Sequence, residues 1–394
     1  MAAVVEALLL LLTLAGLAYS ALCLLGARSF AHASDKRRQA ESESFAPDVT
    51  LLKPLKGAEP GLYDALASHC QQVYAGHVQI VCGVTRISDP AVAVVVQLRS
   101  DFPNADLQVL ECPDRLGTSG KVSNLVQMSR VARAPFLLVN DSDIRVRPGY
   151  LAAVVAPFRD AEVGMVTAPY RGRTARAATL WSKLEALGIA TDFMPGVLTA
   201  RMLEGGIRFG LGSTLAMRRS ALTEAGGFEA VIECLADDYE LGARIARGGY
   251  RVELCAEIVE TSVPAYSFSA FFEHQLRWAR STRDSRRWGY LGLGVTYCLP
   301  WATALCVASG FALWSFSLLS LVVLLRVAVA LSVGVGLLRD EQVLRDLWLL
   351  PVRDCFGLFF WMWSYAGDTV IWRGERFRLR NGRISKVSTE RAAS

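Results

Sequence analysis

The chain has 394 residues, of which 52% are hydrophobic and 20% are charged, and its net charge is +5 at neutral pH. Soluble domains carry about 25% charged residues, so this composition excludes a disordered chain and favours a membrane-attached protein. The nine cysteines show no CxxC and no paired Cys/His spacing, which excludes a small disulfide scaffold and a zinc site. The small basic excess is spread along the chain and does not indicate nucleic acid as a partner.

The first apolar segment covers residues 1–27 and contains Glu6 as its one charged side chain. This segment is long enough to span a bilayer. A cleaved signal peptide would need basic residues before its apolar core, and residues 1–5 contain none. We therefore predict an uncleaved transmembrane anchor, followed by a polar linker over residues 28–46. The basic residues of that linker place it on the cytoplasmic side of the membrane.

Residues 47–280 alternate short apolar runs with helical patterns, which predicts one α/β domain with a mostly parallel sheet. The predicted strands cover residues 48–52, 78–84, 107–110 and 136–140, and the predicted helices cover residues 61–70, 91–99 and 121–133. Ligands of such sheets bind at the carboxyl ends of the strands. We therefore expect the functional side chains to lie directly after the strands.

The C-terminal part of the chain is again strongly apolar. It predicts an interfacial segment (281–290), two transmembrane helices (291–338), an interfacial or re-entrant helix (347–366) and a basic cytoplasmic tail (367–394). Arg326 is the one charge within 291–338, and we expect it to snorkel or to pair with another helix. Two spans return the chain to the side of the membrane on which the α/β domain lies. The basic tail should stay on that side, because basic segments favour the cytoplasm.

Asp141 and Asp143 directly follow the apolar strand that ends near residue 140. Two carboxylates at a strand end can bind a hard divalent cation such as Mg²⁺ or Mn²⁺. The alternative interpretation is a solvated turn, because Asp and Ser are ordinary turn residues. The buried strand before them favours the metal site.

Two more aspartates stand at predicted helix starts. Asp238 opens a helix, where it is either a cap or a general base that accepts a proton from an attacking hydroxyl. Asp89 either caps the following helix or binds the polar edge of a nucleotide.

His274, Arg277 and Trp278 belong to a basic and aromatic helical run. Arginine suits phosphate oxygens, and an indole can stack or pack against a bound group. The alternative is an amphipathic helix at the membrane surface. The apolar residues 193–198 are interpreted either as part of the core or as the lining of a lipid entrance.

In order and separation, Asp89, Asp141, Asp238 and the pair Arg277-Trp278 resemble the three aspartate motifs and the (Q/R)xxRW motif of membrane-bound, inverting glycosyltransferases with the GT-A fold. Over nearly the whole chain the sequence is similar to ceramide glucosyltransferases. It is most similar to their bacterial relatives, the hopanoid-biosynthesis glycosyltransferases. His274 resembles the hopanoid group, and Asp143 stands where ceramide enzymes typically have Gly.

The resemblance implies a GT-A α/β domain with a cytoplasmic active site, which takes a UDP-sugar and glycosylates a lipid hydroxyl with inversion. It implies that Asp238 is the base, that Asp141 and Asp143 hold a divalent metal, and that Asp141 also contacts the diphosphate. The remaining implied contacts to the nucleotide sugar are Asp89 at the uridine and Lys121, His274, Arg277 and Trp278 at the departing UDP. For the hopanoid group the sugar is N-acetylglucosamine and the acceptor is bacteriohopanetetrol. The alternative is synthesis of glucosylceramide from UDP-glucose.

Two other classes of protein fit this sequence less well. A processive polysaccharide synthase needs more membrane spans than the C-terminal segments supply. An inactive membrane scaffold or a transporter subunit has no reason to keep all of Asp89, Asp141, Asp238 and Arg277. The Ala- and Arg-rich composition favours a bacterium with a GC-rich genome, and therefore a multi-pass protein of the inner membrane.

Overall fold

A computed structural model of the chain describes residues 1–40, 45–175, 177–372 and 374–387. The first ten strands are β1 (Val49–Pro54), β2 (Val78–Val84), β3 (Asp106–Glu111), β4 (Phe136–Val139), β5 (Ile144–Arg145), β6 (Val163–Thr167), β7 (Tyr170–Thr174), β8 (Leu215–Arg218), β9 (Arg251–Leu254) and β10 (Val259–Val263). Seven of them form one sheet in the order β3-β2-β1-β4-β8-β6-β9, and a smaller sheet has the order β5-β10-β7.

The first ten helices are α1 (Ala2–Ala40), α2 (Leu62–Cys70), α3 (Ala91–Asp101), α4 (Gly120–Ser129), α5 (Tyr150–Val155), α6 (Leu180–Gly188), α7 (Met194–Leu203), α8 (Arg219–Glu224), α9 (Asp237–Arg247) and α10 (Phe268–Ser285). Short 3₁₀ segments cover Ala156–Arg159 and Phe228–Val231, and a π-helical segment, Ile189–Phe193, joins α6 to α7. Strands β1 and β4 are buried along their whole length because helices cover both faces of the large sheet.

The predicted α/β fold is confirmed by this sheet. Strands β1, β2, β3 and β4 pair in parallel, as the alternation of strands and helices predicts. Strand β8 is antiparallel to both of its neighbours, whereas β6 and β9 again pair in parallel, so the sheet is mostly parallel with one antiparallel strand. Strand β8 has only four residues, which is too short for a periodic signal in the sequence.

The apolar C-terminal region forms α11 (Arg287–Thr296), α12 (Cys298–Ala308), α13 (Leu313–Val329), the π-helical segment Ala330–Leu337, α14 (Gln342–Asp346), the 3₁₀ segment Leu347–Leu349 and α15 (Leu350–Ser364). Among the described residues, two helices are long and apolar enough to cross a membrane, α1 and the helix from Leu313 to Leu337. The pair α11 and α12, bent by 49°, would be a third span if its two helices act as one. Which of these segments cross the bilayer stays a prediction.

Arg326 pairs with other helices instead of snorkelling. Its guanidinium donates to Asp354 Oδ1 at 2.7 Å, to Asp192 Oδ1 at 2.5 Å and to the Thr191 carbonyl oxygen at 2.8 Å. Asp354 lies on α15, and Asp192 lies in the π-helical segment of the α/β domain. This buried ion-pair network therefore joins the apolar C-terminal helices to the domain.

The first helix is longer than the anchor predicted over residues 1–27. Residues 28–40, predicted to belong to a linker, are helical, whereas residues 41–44 lie outside the described part of the chain. Ala27 and Phe30 are buried in the same core as the central sheet, and the Arg201 guanidinium lies 5.5 Å from the Phe30 ring. Alanine and long charged side chains favour helix, and this packing holds the helix against the domain.

The predicted basic tail is instead a folded, three-stranded antiparallel sheet. Its strands are β11 (Thr369–Trp372), β12 (Glu375–Arg380) and β13 (Arg383–Lys386). Arg373 and residues 388–394 of the predicted tail lie outside the described residues. In β12, exposed arginines alternate with the buried Phe377 and Leu379, which is the period of a half-buried strand. Asn381 and Gly382 both have positive φ angles, as a tight hairpin turn requires.

Candidate active site

The loop after β4 carries Asp141 and Asp143 and is held by the buried Asn140. The Asn140 amide donates to the carbonyl oxygen of Ser213 at 2.6 Å and to the Tyr150 hydroxyl at 2.8 Å. A buried amide with its hydrogen bonds satisfied is a rigid support. The two carboxylates therefore stand in a defined position at the carboxyl end of the sheet, as expected.

Lys121 connects two of the predicted aspartate motifs. It lies in the first turn of α4, where the Ser119 hydroxyl caps the helix by accepting from the Val122 amide. The Lys121 ammonium lies 2.9 Å from Asp141 Oδ1 and 3.2 Å from Asp237 Oδ2. Burial by itself would lower the pKa of Lys121, but the neighbouring carboxylates outweigh burial and raise it. The side chain is therefore a permanent cation between the two motifs.

Asp238 stands in the first turn of α9, half-buried beside this cluster. Burial and the negative charge of Asp237 raise the pKa of the Asp238 carboxyl to about 6, against the opposing effect of Lys121. Gly212 faces the same space, because a Cβ at this position would lie 3.1 Å from Asp238 Oδ2 and 3.3 Å from Asp141 Oδ2. The structure thus brings the second and third aspartate motifs together around a glycine, where space is left for a substrate.

Asp143 points toward the small sheet, where its Oδ2 accepts a hydrogen bond from the Thr261 hydroxyl at 2.6 Å. Burial and the charge of Asp141 raise the pKa of the Asp143 carboxyl to about 6. Two carboxylates on one loop, close enough for Asp141 to raise the pKa of Asp143, fit a divalent cation. Within the described residues, no group of three or more His, Cys, Asp or Glu side chains is arranged to hold a metal ion. A bound ion would therefore take its other ligands from substrate phosphates and water, as Mg²⁺ commonly does.

Asp89 lies at the carboxyl end of β2, at the same edge of the sheet but apart from the carboxylate cluster. Its Oδ1 accepts from the Ala91 amide at 2.9 Å and from the Gly57 amide at 2.8 Å. The bond from the Ala91 amide caps the first turn of α3, as the capping interpretation predicts. The bond from the Gly57 amide fixes the loop after β1. Contact with a uridine stays a prediction for this residue.

His274, Arg277 and Trp278 lie on α10, where His274 and Trp278 have ring centroids 5.5 Å apart. His274 Nδ1 lies 3.4 Å from Oε1 of the buried Glu185. Burial alone would raise the pKa of Glu185, but His274, Arg353 and Arg277 together lower it. A buried, ionised Glu185 therefore faces the predicted UDP-binding helix from α6.

A row of aromatic rings runs from this helix to Tyr170 of β7. The Trp278 ring lies 5.6 Å from Phe193, which lies 5.5 Å from Tyr170. Phe193 and Trp278 are half-buried, whereas Met194 is fully buried. Most of residues 194–198 thus belong to the core rather than to the lining of a lipid entrance. Phe193 is the residue of the run 193–198 that contacts the other rings of the aromatic row.

Lys53 and Asp237 also belong to the carboxylate cluster, although neither is predicted from the sequence as a site residue. Lys53 lies inside β1 with 0% of its surface exposed, and its ammonium donates to the Asp141 carbonyl oxygen at 3.0 Å. Burial lowers the pKa of Lys53 to about 8. The available signal was a charged residue in the middle of an apolar strand, a position where lysine is rare without a specific partner.

The chain is similar to known glycosyltransferases. Residues 8–385 match the sequence profile of glycosyl transferase family 21. Ceramide glucosyltransferase 1 of Caenorhabditis elegans is 27% identical over 243 residues, which cover 61% of this chain and 51% of that protein. The ceramide glucosyltransferase of Gibberella zeae is 32% identical over 135 residues, or 32% of this chain and 26% of that protein. The chain thus spans about half the length, or less, of these curated relatives.

Among solved structures, similarity is found to the mannosyltransferase PcManGT from Pyrobaculum calidifontis in complex with GDP-Man and Mn²⁺. The identity is 18% and the TM-score is 0.49, with 91% of this chain and 99% of that chain covered.

Proposed function

We propose a function from one premise: the chain belongs to glycosyl transferase family 21. The proposed reaction moves a sugar from a UDP-sugar to a hydroxyl of a membrane lipid, with inversion at the anomeric carbon. The observation that carries this proposal is the cluster in which Lys121 bridges Asp141 and Asp237 beside the half-buried Asp238. A base and a phosphate-binding cation lie together there, at the edge of the sheet where ligands bind.

In the proposed mechanism the ionised Asp238 accepts the proton of the acceptor hydroxyl. The acceptor oxygen attacks the anomeric carbon and forms the new glycosidic bond, while the bond from that carbon to the UDP oxygen breaks. UDP leaves with the bonding electrons, and the hydroxyl proton stays on Asp238. Attack opposite to the leaving group inverts the configuration. The raised pKa of Asp238 suits a general base that works near neutral pH.

The leaving UDP carries the charge that must be stabilised. Asp141 and Asp143 would hold a divalent cation, Mg²⁺ or Mn²⁺, which supplies neutralisation of the diphosphate when bound. Lys121 adds a positive charge next to Asp141. Arg277 and the rings of His274 and Trp278 are proposed to bind the departing UDP, and Asp89 is proposed to bind the uridine.

A lipid acceptor requires an active site close to the membrane, because removing a lipid chain from the bilayer costs about 0.8 kcal/mol per CH₂ group. Two candidate spans and the buried Arg326 network support such a position for the domain. The rings of Tyr170, Phe193 and Trp278 form an apolar row that lies next to Asp192 of this network. We propose a multi-pass protein of a bacterial inner membrane, with its active site on the cytoplasmic side.

Two donor and acceptor pairs are proposed for this site. The first is UDP-N-acetylglucosamine with bacteriohopanetetrol, which rests on the resemblance carried by His274 and Asp143. The second is UDP-glucose with ceramide, and it is favoured by the names of the curated relatives.

The test is an assay of the purified chain in detergent, in which both UDP-sugars are offered with both acceptors, with and without EDTA. Transfer of N-acetylglucosamine to the hopanoid that is lost with EDTA supports the first pair and the metal. Transfer of glucose to ceramide supports the second pair. If neither UDP-sugar is consumed with either acceptor, the proposed function is wrong.

A further inference from the structure

The outer face of the C-terminal sheet is strongly basic. Its inner face, formed by Val370, Phe377, Leu379 and Ile384, covers Leu235 of the α/β domain. The outer face exposes Arg376, Arg378, Arg380 and Arg383. The apolar face of this sheet packs against the α/β domain. The cationic face points away from the domain and can therefore contact a partner.

The cations are least compensated at the turn between β12 and β13, residues 380–383, which we name the basic turn. Arg378 lies 3.5 Å from Asp368, and Lys386 lies 2.8 Å from Glu375. Arg380 and Arg383 instead stand directly opposite each other in the strand register. In the part of the chain that the structure describes, neither of these two guanidinium groups has a carboxylate within 4.0 Å. Like charges at directly opposed positions destabilise a sheet, and a bound anion would relieve this repulsion.

The basic turn lies where the chain enters its apolar helices. The Arg287 guanidinium, at the first residue of α11, donates to the Asn381 side-chain oxygen at 2.9 Å. Asp284, near the end of α10, accepts from the Gly382 amide. The next residue after Arg287 is Trp288, whose surface is 86% exposed. An exposed tryptophan beside a basic residue at the start of an apolar helix is typical of the membrane–water interface.

We infer that the basic turn binds the anionic headgroups of the membrane in which the apolar helices lie. Guanidinium groups bind phosphate oxygens in bidentate geometry. Anionic leaflets attract juxtamembrane basic clusters. The position beside Arg287 and Trp288 favours lipid phosphate over a free phosphate ion.

The inference is tested by melting the full chain in detergent micelles that contain phosphatidylglycerol, phosphatidylcholine, or phosphatidylcholine with inorganic phosphate. The variant is R380Q/R383Q, and the matched control is R251Q. Arg251 is also an exposed strand arginine, but it pairs with Asp160 at 2.7 Å and with Glu162 at 2.9 Å. We expect phosphatidylglycerol to raise the melting temperature of the wild type and of R251Q by several degrees. This shift should be lost in R380Q/R383Q.

A second readout separates loss of the ligand from damage to the fold. In phosphatidylcholine alone, R380Q/R383Q should melt at the temperature of the wild type or above it, because the opposed charges are removed. An equal phosphatidylglycerol shift in wild type and R380Q/R383Q would overturn the inference. A shift of the same size with inorganic phosphate would also overturn it, since it would assign the turn to a free anion.

Discussion

Lys53 is a buried cation beneath the Asp141 loop, with its ammonium on the Asp141 carbonyl oxygen and the carboxylates of Asp141 and Asp143 nearby. Removing a buried charge from water is costly, so its presence has to be balanced by these partners. We interpret Lys53 as a positioning residue, which holds the loop in place and does not itself touch the substrate.

The substitution Lys53→Met tests this role. A hydrogen bond to a charged group contributes about 1.5–3 kcal/mol. A free-energy difference of this size changes a rate or equilibrium constant by about tenfold to hundredfold. We expect the transfer rate to fall by about tenfold or more, without a lower melting temperature, because methionine has no desolvation cost. The control Lys183→Met removes a half-exposed partner of Asp346 and should leave the rate unchanged. An unaltered rate in Lys53→Met would contradict the role.

Asp238 makes the proposed reaction depend on pH. The base must be ionised, and the pKa of Asp238 is raised to about 6 by burial and by Asp237. The transfer rate should therefore rise with pH through about 6 and then level off. Asp237→Asn removes the charge that helps to raise this pKa, so the acid limb should move to lower pH.

Asp238→Asn should lower the rate by about 10² to 10⁴, the usual contribution of a general base. The measurements are rate profiles from pH 4.5 to 8 for the wild type and both variants. Full activity of Asp238→Asn would exclude this residue as the base.

The C-terminal sheet supports the segment that leads into Asp237 and Asp238. The Ile384 amide donates to the Glu233 carbonyl oxygen at 2.8 Å, and the Leu235 amide donates to the Gly382 carbonyl oxygen at 3.3 Å. On its other side, the same segment accepts from the Ser119 amide, just before Lys121. The sheet, the segment 232–235 and the start of α4 thus form one continuous support.

Leu379→Ala should weaken this support, because Leu379 is buried on the inner face against Leu235. Leucine-to-alanine changes in a core cost about 2–5 kcal/mol. We expect a lower melting temperature and a loss of transfer activity, since residues 233–235 lead directly into Asp237 and Asp238. Ser385→Ala, at an exposed position of β13, is the matched control and should change neither quantity. A stable and fully active Leu379→Ala would mean that the sheet is dispensable.

At the scale of the whole molecule, the Arg326 network holds the apolar helices to the α/β domain. Arg326 on α13 contacts Asp354 on α15 and Asp192 beside the aromatic row. If the apolar helices and the α/β domain moved independently, the aromatic row of Tyr170, Phe193 and Trp278 would no longer have a fixed position relative to those helices. We interpret the network as the link that fixes the active site relative to the membrane.

Arg326→Met leaves Asp354 buried without its partner, and breaking a buried ion pair in this way costs about 3–5 kcal/mol. The melting temperature in detergent should fall clearly. Ser317→Ala, at an exposed position of the same helix, should leave it unchanged. A melting temperature equal to that of the wild type would contradict a role of the network in holding the two parts together.

Elements with local signals can be predicted from the amino-acid sequence alone. The apolar runs around residues 50, 80 and 138 have the composition of buried strands, and the aspartates that follow two of them lie at the expected edge of the sheet. The carboxylate pair Asp141 and Asp238 could also be predicted, because each belongs to a motif with a fixed place in the chain. The apolar length of α1 likewise needed no partner to be recognised.

Contacts between segments that are distant in the chain could not be predicted in this way. Residues 369–386 have an alternating pattern and an Asn-Gly turn, which are typical of a hairpin. Their basic charge nevertheless favours the prediction of a tail, because the sequence of a strand does not show which segment it pairs with. That partner is the segment 233–235, more than a hundred residues earlier. The burial of Lys53 and its contact with the Asp141 carbonyl oxygen were likewise hidden. Local periodicity reports the conformation of a segment, whereas pairing depends on hydrogen bonds and burial that arise only when the chain is folded.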